Sequence, residues 1–346
     1  MRIFHGLQNI CGIPGVMARA QRKLGYRAEA WCHPVPNVAF SVDHTIGWDR
    51  AERRSLLLKS LTRFDVLQFY FGQSFAGPGL LDVPWLRRMG KRIAFYFCGC
   101  DARDSKFTVS NYPISACAVC WPQLCSANQV VAREVAAHYA HVIFACTPDL
   151  MEFLDGSILL PQPLELDLVD QLAARGPGKP PGRPGIDRPV RIAHAPSSQA
   201  IKGSARVVEA VHNLAKQGWP VELVLIENVP HDRVLSICAT CDMAIDQILI
   251  GAYGQFSAEM MALGIPTFCY IRDDLYARYP PELPVISVSP LNLEQVLSEW
   301  LDHPQWWADR GRAGRHYVEK YHESQVVAQK SLAAYKPQRW WGRRRN

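Results

Sequence analysis

The sequence predicts an α/β protein made of two Rossmann-like, doubly wound parallel-sheet domains that face each other across a cleft. Three observations carry this. Short apolar runs of strand length alternate with helical patterns, the rhythm of a parallel sheet. The alternation occurs twice, and between the two series lies a stretch of glycine, proline and basic residues that suits neither a helix nor a central strand. The length, 346 residues, is more than one core usually supports.

The first series opens with a strand at 2–4, a glycine-containing loop at 6–15 and a helix at 16–24 closed by Gly25. Strands follow at 28–31, 64–71, 92–97 and 142–145, with a helix at 129–139 before the last of them. Residues 175–185 are the loop of glycines and prolines. The second series then runs strand 190–194, helix 204–217, strand 221–226, helix 230–239, strand 243–248, helix 256–263 and strand 266–271. Closing helices are expected at 293–301 and 306–335. The domains so defined are 1–170 and 189–325, joined by a linker at 171–188 and followed by a helix end and tail at 326–346. Open parallel sheets bind ligands at the C-terminal ends of their strands, so two facing domains place those ends on one cleft.

Composition sets outer limits. Hydrophobic residues at 48% and charged residues at 20% are ordinary for a globular chain. A net charge of +6 permits an acidic partner such as a nucleotide, a phospholipid surface or a polyanion without requiring one. No apolar run reaches the ~18–20 residues that span a bilayer, and the N-terminus lacks a signal peptide's apolar core. The expectation is a cytoplasmic protein. Eleven cysteines, an odd number, argue against a disulfide framework there.

The strongest motif is Gly251-Ala252-Tyr253-Gly254-Gln255-Phe256-Ser257-Ala258-Glu259, continuing through Met260-Met261-Ala262-Leu263-Gly264-Ile265-Pro266. A strand feeds a loop with two glycines, and a helix starts near Gln255. Free amides at a helix N-terminus, with the positive end of its dipole, attract an anion, and glycine lets a diphosphate approach closely. Glu259 lies about one turn into the helix, where a carboxylate can accept hydrogen bonds from ribose hydroxyls. Upstream, His194-Ala195-Pro196-Ser197-Ser198-Gln199-Ala200-Ile201-Lys202-Gly203 also links a strand to a helix and offers a lysine to phosphate.

Together these segments resemble the donor site of GT-B glycosyltransferases, especially the retaining family 4, in which a glutamate-glycine-aromatic-glycine turn precedes a helix ending in glycine-x-proline. The resemblance covers about residues 1–330 and is strongest over 190–270. It implies a GT-B fold, an acceptor-side first domain and a nucleotide-sugar-binding second domain. It also implies transfer of a hexose from a nucleoside diphosphate sugar to a hydroxyl acceptor, with retention and with no cofactor needed for catalysis. It assigns donor contacts to Ser197, Ser198, Lys202, Tyr253, Gly254, Gln255, Phe256, Ser257 and Glu259. Asn228 and His231 stand where such enzymes hold the base, and Asp246 and Gln247 end the next strand, where they could face the same cleft; either pair could instead cap a helix or solvate a loop. Three positions depart from the pattern: Gly251 replaces a glutamate at the sugar end, Cys98 a histidine, and Ser197 an arginine.

In the first half, Gly12 and Gly15 bracket a loop that the resemblance places near phosphate and acceptor, although the spacing is not the dinucleotide fingerprint. Asp101 and Arg103 follow the strand 92–97 and suit the acceptor or a domain contact. Asp101 and His5 are the candidate general bases; each serves equally well as a structural group. Cys117 and Cys120, with Cys125 and Cys100, could supply four thiolates to a structural zinc, or remain thiols, or form a local disulfide. The tail Arg339–Arg345, rich in tryptophan and arginine, suits peripheral contact with an anionic membrane inner face or serves as a solubilising end; the lack of any other basic stripe disfavours nucleic acid. A non-catalytic GT-B-like protein that binds a nucleotide sugar or a partner is the alternative to the enzyme, motivated by Gly251 and Cys98.

Overall fold

Central strands of a parallel sheet are covered on both faces, so their sequences run apolar instead of alternating. Val66–Tyr70 shows this, apolar but for Gln68 and with all five residues buried. A computed structural model describes residues 1–35, 40–120 and 128–336. In it β1 Arg2–Gly6, β2 Arg27–Cys32, β3 His44–Thr45, β4 Val66–Tyr70, β5 Arg92–Phe97, β6 Val142–Ala145 and β7 Ile158–Leu159 form one sheet, ordered β3-β2-β1-β4-β5-β6-β7. A second sheet contains β8 Val190–His194, β9 Val221–Leu225, β10 Met243–Ile245, β11 Thr267–Cys269 and β12 Ile286–Ser287, ordered β12-β11-β10-β8-β9. Each strand pair is parallel. Every strand expected from the sequence forms. The unexpected ones, β3, β7 and β12, are two-residue edge strands whose pattern is too short to read.

The domain borders differ from the expected ones. Helix Leu166–Ala173 buries Leu166, Val169 and Leu172 in the second domain's core, so a border at 170 would fall inside an element of that domain. The expected helix at 306–335 is two helices, Gln305–Tyr321 and Ser324–Tyr335. Between them the backbone extends at Glu323 and runs beside Leu164: the Leu164 amide donates to His322 O at 2.7 Å, and the Ser324 amide to Leu164 O at 2.8 Å. The two crossings between domains are therefore hydrogen-bonded to each other. Beyond the second, Val327, Ala328, Leu332 and Tyr335 enter the core of the first domain. The tail from residue 337, with Arg339–Arg345, lies outside the described residues. Among the described residues no helix is long and apolar enough to cross a membrane.

A polar chain fastens that last helix. Tyr335 O–H donates to Gln68 Oε1, and the Gln68 amide to Tyr70 Oη at 2.6 Å. Tyr70 contacts His5 Nδ1 at 2.7 Å, and His5 Nε2 contacts Gln21 Oε1 at 2.9 Å. Gln21 donates to Ser331 Oγ at 3.1 Å, and Ser331 to Ala328 O at 2.7 Å. The amide oxygen of Gln21 can only accept, so His5 carries its proton on Nε2 and Tyr70 donates to Nδ1. Every donor then has one acceptor, and the chain begins and ends on the same helix. This makes His5 a buried structural group and not a cleft base; burial pushes its pKa down to about 4, so it stays neutral.

Two outcomes are expected. Tyr335→Phe leaves Gln68 Oε1 buried without its donor and should cost about 1–3 kcal/mol in equilibrium denaturation. His322, at the crossing, is likewise lowered by burial to about 4. A depressed histidine pKa gives stability that is complete above the ordinary value near 6.5 and is lost as pH falls toward the folded value. Denaturation midpoints should therefore fall between about pH 6.5 and 5, while the His5 and His322 ring resonances show no titration over that interval.

Candidate functional site

A doubly wound sheet opens a crevice where its strand order reverses. In the first sheet the reversal lies between β1 and β4, and in the second between β8 and β10. One cavity of about 680 Å³ joins the two. Ile10, Cys11 and Phe71 line it from the first domain, and Lys202, Gln247 and Gly254 from the second. Three of its lining residues hold left-handed backbone without being glycine: Cys11 at φ 50°, Phe71 at 54° and Asn228 at 55°. Such conformations cost of order 1–3 kcal/mol each and gather at functional sites.

Lys202 enters from the end of the short helix Gln199–Lys202 that follows β8. Its Nζ donates to Asp246 Oδ1 and to Gln247 Oε1, both at 2.7 Å. The other Asp246 oxygen accepts from Ser257 Oγ at 2.7 Å and from the Gly254 amide at 3.3 Å, at the start of helix Gln255–Ala262. Gln247 Nε2 reaches Ala252 O in the intervening turn. Burial opposes charge on Asp246, but Lys202, Ser257 and Gly254 outweigh it and hold the carboxyl below its ordinary range. Asp246 and Gln247 thus tie the lysine of one strand–helix loop to the helix start of the next.

Gly251 begins that turn at φ +86°, and its carbonyl accepts the Arg272 amide at 2.9 Å. A Cβ there would lie 3.1 Å from Arg272 Cβ, in a backbone region L side chains rarely adopt. The turn as built demands glycine, which gives a physical reason for the departure from glutamate. Arg272 extends to Glu152 and to Asp274 Oδ1 at 2.6 Å, its guanidinium 3.7 Å from the Tyr112 ring centroid. Glu152 and Tyr112 belong to the first domain, so this turn also anchors an interdomain contact.

Glu259, nearly buried, accepts from His231 Nε2 at 2.8 Å and from Gln255 Nε2 at 3.1 Å on the same oxygen. Burial favours neutral imidazole at His231, but Glu259 beside it wins and raises the pKa. Glu227, after β9, also lines the cavity and is held by Gln199 at 2.6 Å.

The structure brings Ser197, Lys202, Asn228, His231, Gln247, Tyr253, Gly254, Gln255, Phe256, Glu259 and Arg103 onto the cavity wall. Ser198 holds the N-cap position of helix Gln199–Lys202 without a side-chain hydrogen bond to it and, like the buried Asp246 and Ser257, is not on the wall. Tyr253 directs its hydroxyl away, 2.9 Å from His322 Nε2. Asp101 is absent from the wall; it accepts from the Cys98 and Gly99 amides at 3.0 and 2.7 Å and shapes the loop after β5. Burial raises its pKa to about 6 against those hydrogen bonds. Arg103 is held by Asp149 at 2.5 Å. Gly12 and Gly15 are explained by packing: added Cβ atoms would meet the Phe40 ring at 2.9 Å and Ser41 O at 2.1 Å. Cys125 lies outside the described residues, and among those described no three His, Cys, Asp or Glu side chains gather as a metal site. Sequence reasoning missed Cys11, Phe71, Thr147, Gln162 and Glu227 on the wall. Position at a strand's C-terminal end would have found Phe71, Thr147 and Glu227; nothing local marks Gln162.

No described protein family matches the chain, and no curated protein does. Solved structures do. Sucrose-phosphate synthase from Thermosynechococcus elongatus is similar over 97% of this chain and 98% of its own, at 12% identity and a TM-score of 0.63. The Anabaena protein HepE, in complex with UDP and glucose, is similar over 96% and 98%, at 9% identity and a TM-score of 0.66. The catalytic domain of starch synthase IV from Arabidopsis thaliana, bound to ADP and acarbose, is similar over 97% and 98%, at 10% identity and a TM-score of 0.63. The chain has the two-domain GT-B fold.

The His231–Glu259 pair yields a test. The His231 ring should titrate above 6.5 in the native protein, so the pair's contribution to stability is complete below 6.5 and lost as pH rises through the native value. In Glu259→Gln, only Asp232 is left to oppose burial, and the ring should titrate at a lower pH than in the native protein, as followed by NMR.

Proposed function

We propose that this protein transfers a hexose from a nucleoside diphosphate sugar to a hydroxyl acceptor, with retention of configuration. The observation that supports this most is the convergence of Lys202, the N-terminus of helix Gln255–Ala262 and Glu259 on one cavity at the strand-order reversal of the second sheet. Diphosphate is the leaving group, and negative charge grows on it as the glycosidic bond breaks. A fixed ammonium and first-turn amides stabilise that charge without reorganising, which is where electrostatic catalysis gains most. Glu259, its near oxygen held by His231 and Gln255, takes ribose hydroxyls. The base lies toward Glu227 and Asn228 after β9, and the acceptor enters against the wall made by Cys11, Phe71 and Gly99. Likeness to proteins solved with UDP or ADP agrees with a nucleotide in this cavity.

A second reading, binding without turnover, is favoured by Gly251, because the turn offers no carboxylate at the sugar end. One experiment separates the two. UDP, GDP, ADP and dTDP sugars are screened by thermal shift and then assayed for donor hydrolysis and transfer. The enzyme reading expects one nucleotide class to raise Tm and to be consumed; saturable binding without turnover supports the binder. Lys202→Ala should weaken nucleoside diphosphate binding about ten- to a hundredfold, the size of a lost charge-assisted contact. If no nucleotide shifts Tm, both readings fail.

A further inference from the structure

Gln162 is a buried polar side chain whose carbonyl oxygen finds no donor among the described residues. It is 6% exposed, its Oε1 makes no hydrogen bond to any of them, and it lines the same cavity as Lys202 and Glu259. A buried carbonyl without a donor costs free energy unless a ligand or water supplies one. The group also stands on rigid backbone. It sits in Pro161-Gln162-Pro163, where one proline fixes φ and the next restricts the residue before it. Tyr96 Oη donates to Leu160 O at 3.0 Å, and His322 Nδ1 meets Gln162 O at 2.8 Å, so the main chain is held on both sides.

The same imidazole fixes where Gln162 stands relative to the donor turn. The Gln162 carbonyl can only accept, so His322 carries its proton on Nδ1, and Nε2 accepts from Tyr253 at 2.9 Å. Gln162 is thus one imidazole away from the residue that precedes Gly254 and the helix start. The β9 loop, with Glu227 and Asn228, lies on the other side of β8 in the sheet order. If the nucleotide extends toward β9 from the diphosphate, its sugar extends toward the crossing. Thr147, which is also nearly buried and lines the cavity, follows β6, the neighbour of β7.

We propose that Gln162 reads a hydroxyl of the donor's hexose, its amide taking the place at the sugar end that the Gly251 turn leaves without a carboxylate. This rests on the donor reading above. A primary amide offers an acceptor and two donors, and a hydroxyl is both, so the match suits a neutral hexose. Thr147 supplies a second neutral group on the same wall.

The test compares binding of UDP, GDP and ADP with that of UDP-glucose, GDP-mannose and ADP-glucose, in the native protein and in Gln162→Met. Methionine keeps the chain length and leaves the main-chain carbonyl to His322. The expected result is an unchanged diphosphate affinity and a loss of about five- to tenfold in the affinity of the sugar nucleotide relative to its diphosphate, the size of one neutral hydrogen bond. An unchanged ratio overturns the proposal, and so does an equal loss for diphosphate and sugar nucleotide, which would mark a structural role. Gln162→Ala repeats the comparison if the methionine variant misfolds. If none of the six ligands binds the native protein, the donor reading itself fails and takes this proposal with it.

Discussion

The carboxylate of Asp246 holds the second domain's site together. It is buried, and the ammonium of Lys202 and the start of helix Gln255–Ala262 both close on it. Each of those positive features would be poorly placed alone: a lysine on a four-residue helical turn and a helix N-terminus after a glycine turn both have freedom to move. Joined through one buried anion, they form a unit whose positive charge is already oriented before any ligand arrives, and orientation in advance is what distinguishes electrostatic catalysis from simple attraction. The arrangement carries a cost, since Asp246 neutralises part of the charge it positions. Under the donor reading proposed above, a diphosphate would be held by the remaining N–H of Lys202 and the free amides together, and not by a bare lysine.

Three buried histidines serve as neutral connectors. His5, His194 and His322 each bridge two elements with one ring nitrogen as donor and the other as acceptor. His194 links the ends of β8 and β10 to the helix that begins at Ser204, and burial keeps its pKa low. A neutral imidazole joins two partners at fixed separation without adding a charge to a low-dielectric interior. His231 is the exception: with Glu259 beside it, charge is favoured, and it is the one of the four that lines the cavity.

Much of the fold was legible because parallel strands declare themselves. The apolar runs at β5 and β6 are nearly continuous, β4 is interrupted only by Gln68, and glycine-containing loops follow several strands. The local structure around Gly251–Pro266 was legible for the same reason, since a strand, a turn, a helix and a strand follow one another in sequence order from Met243 to Cys269. What stayed hidden depends on contacts between distant residues. Nothing near Tyr321-His322-Glu323 breaks a helix by propensity; the chain leaves the helix there because Leu164, on the other crossing, offers it a partner. His5 reads as a strand-end base until Gln21 and Tyr70 are seen to satisfy both its nitrogens. Asp101 reads as a general base until the Cys98 and Gly99 amides are seen to occupy it. Gln162 is silent in sequence because its interest lies in a partner it lacks.

The return of helix Ser324–Tyr335 to the first domain changes what that domain is. Its sheet is complete by Leu159, yet one flank of its core and the far end of its polar chain are supplied by the last described helix. During synthesis the first domain emerges before the second, but it must wait for the second to be made before its own core can close. The half that is made first is finished last, and a ribosome that stalls within the second domain leaves the first with an uncovered apolar face, the kind of surface on which chaperones act and aggregates begin.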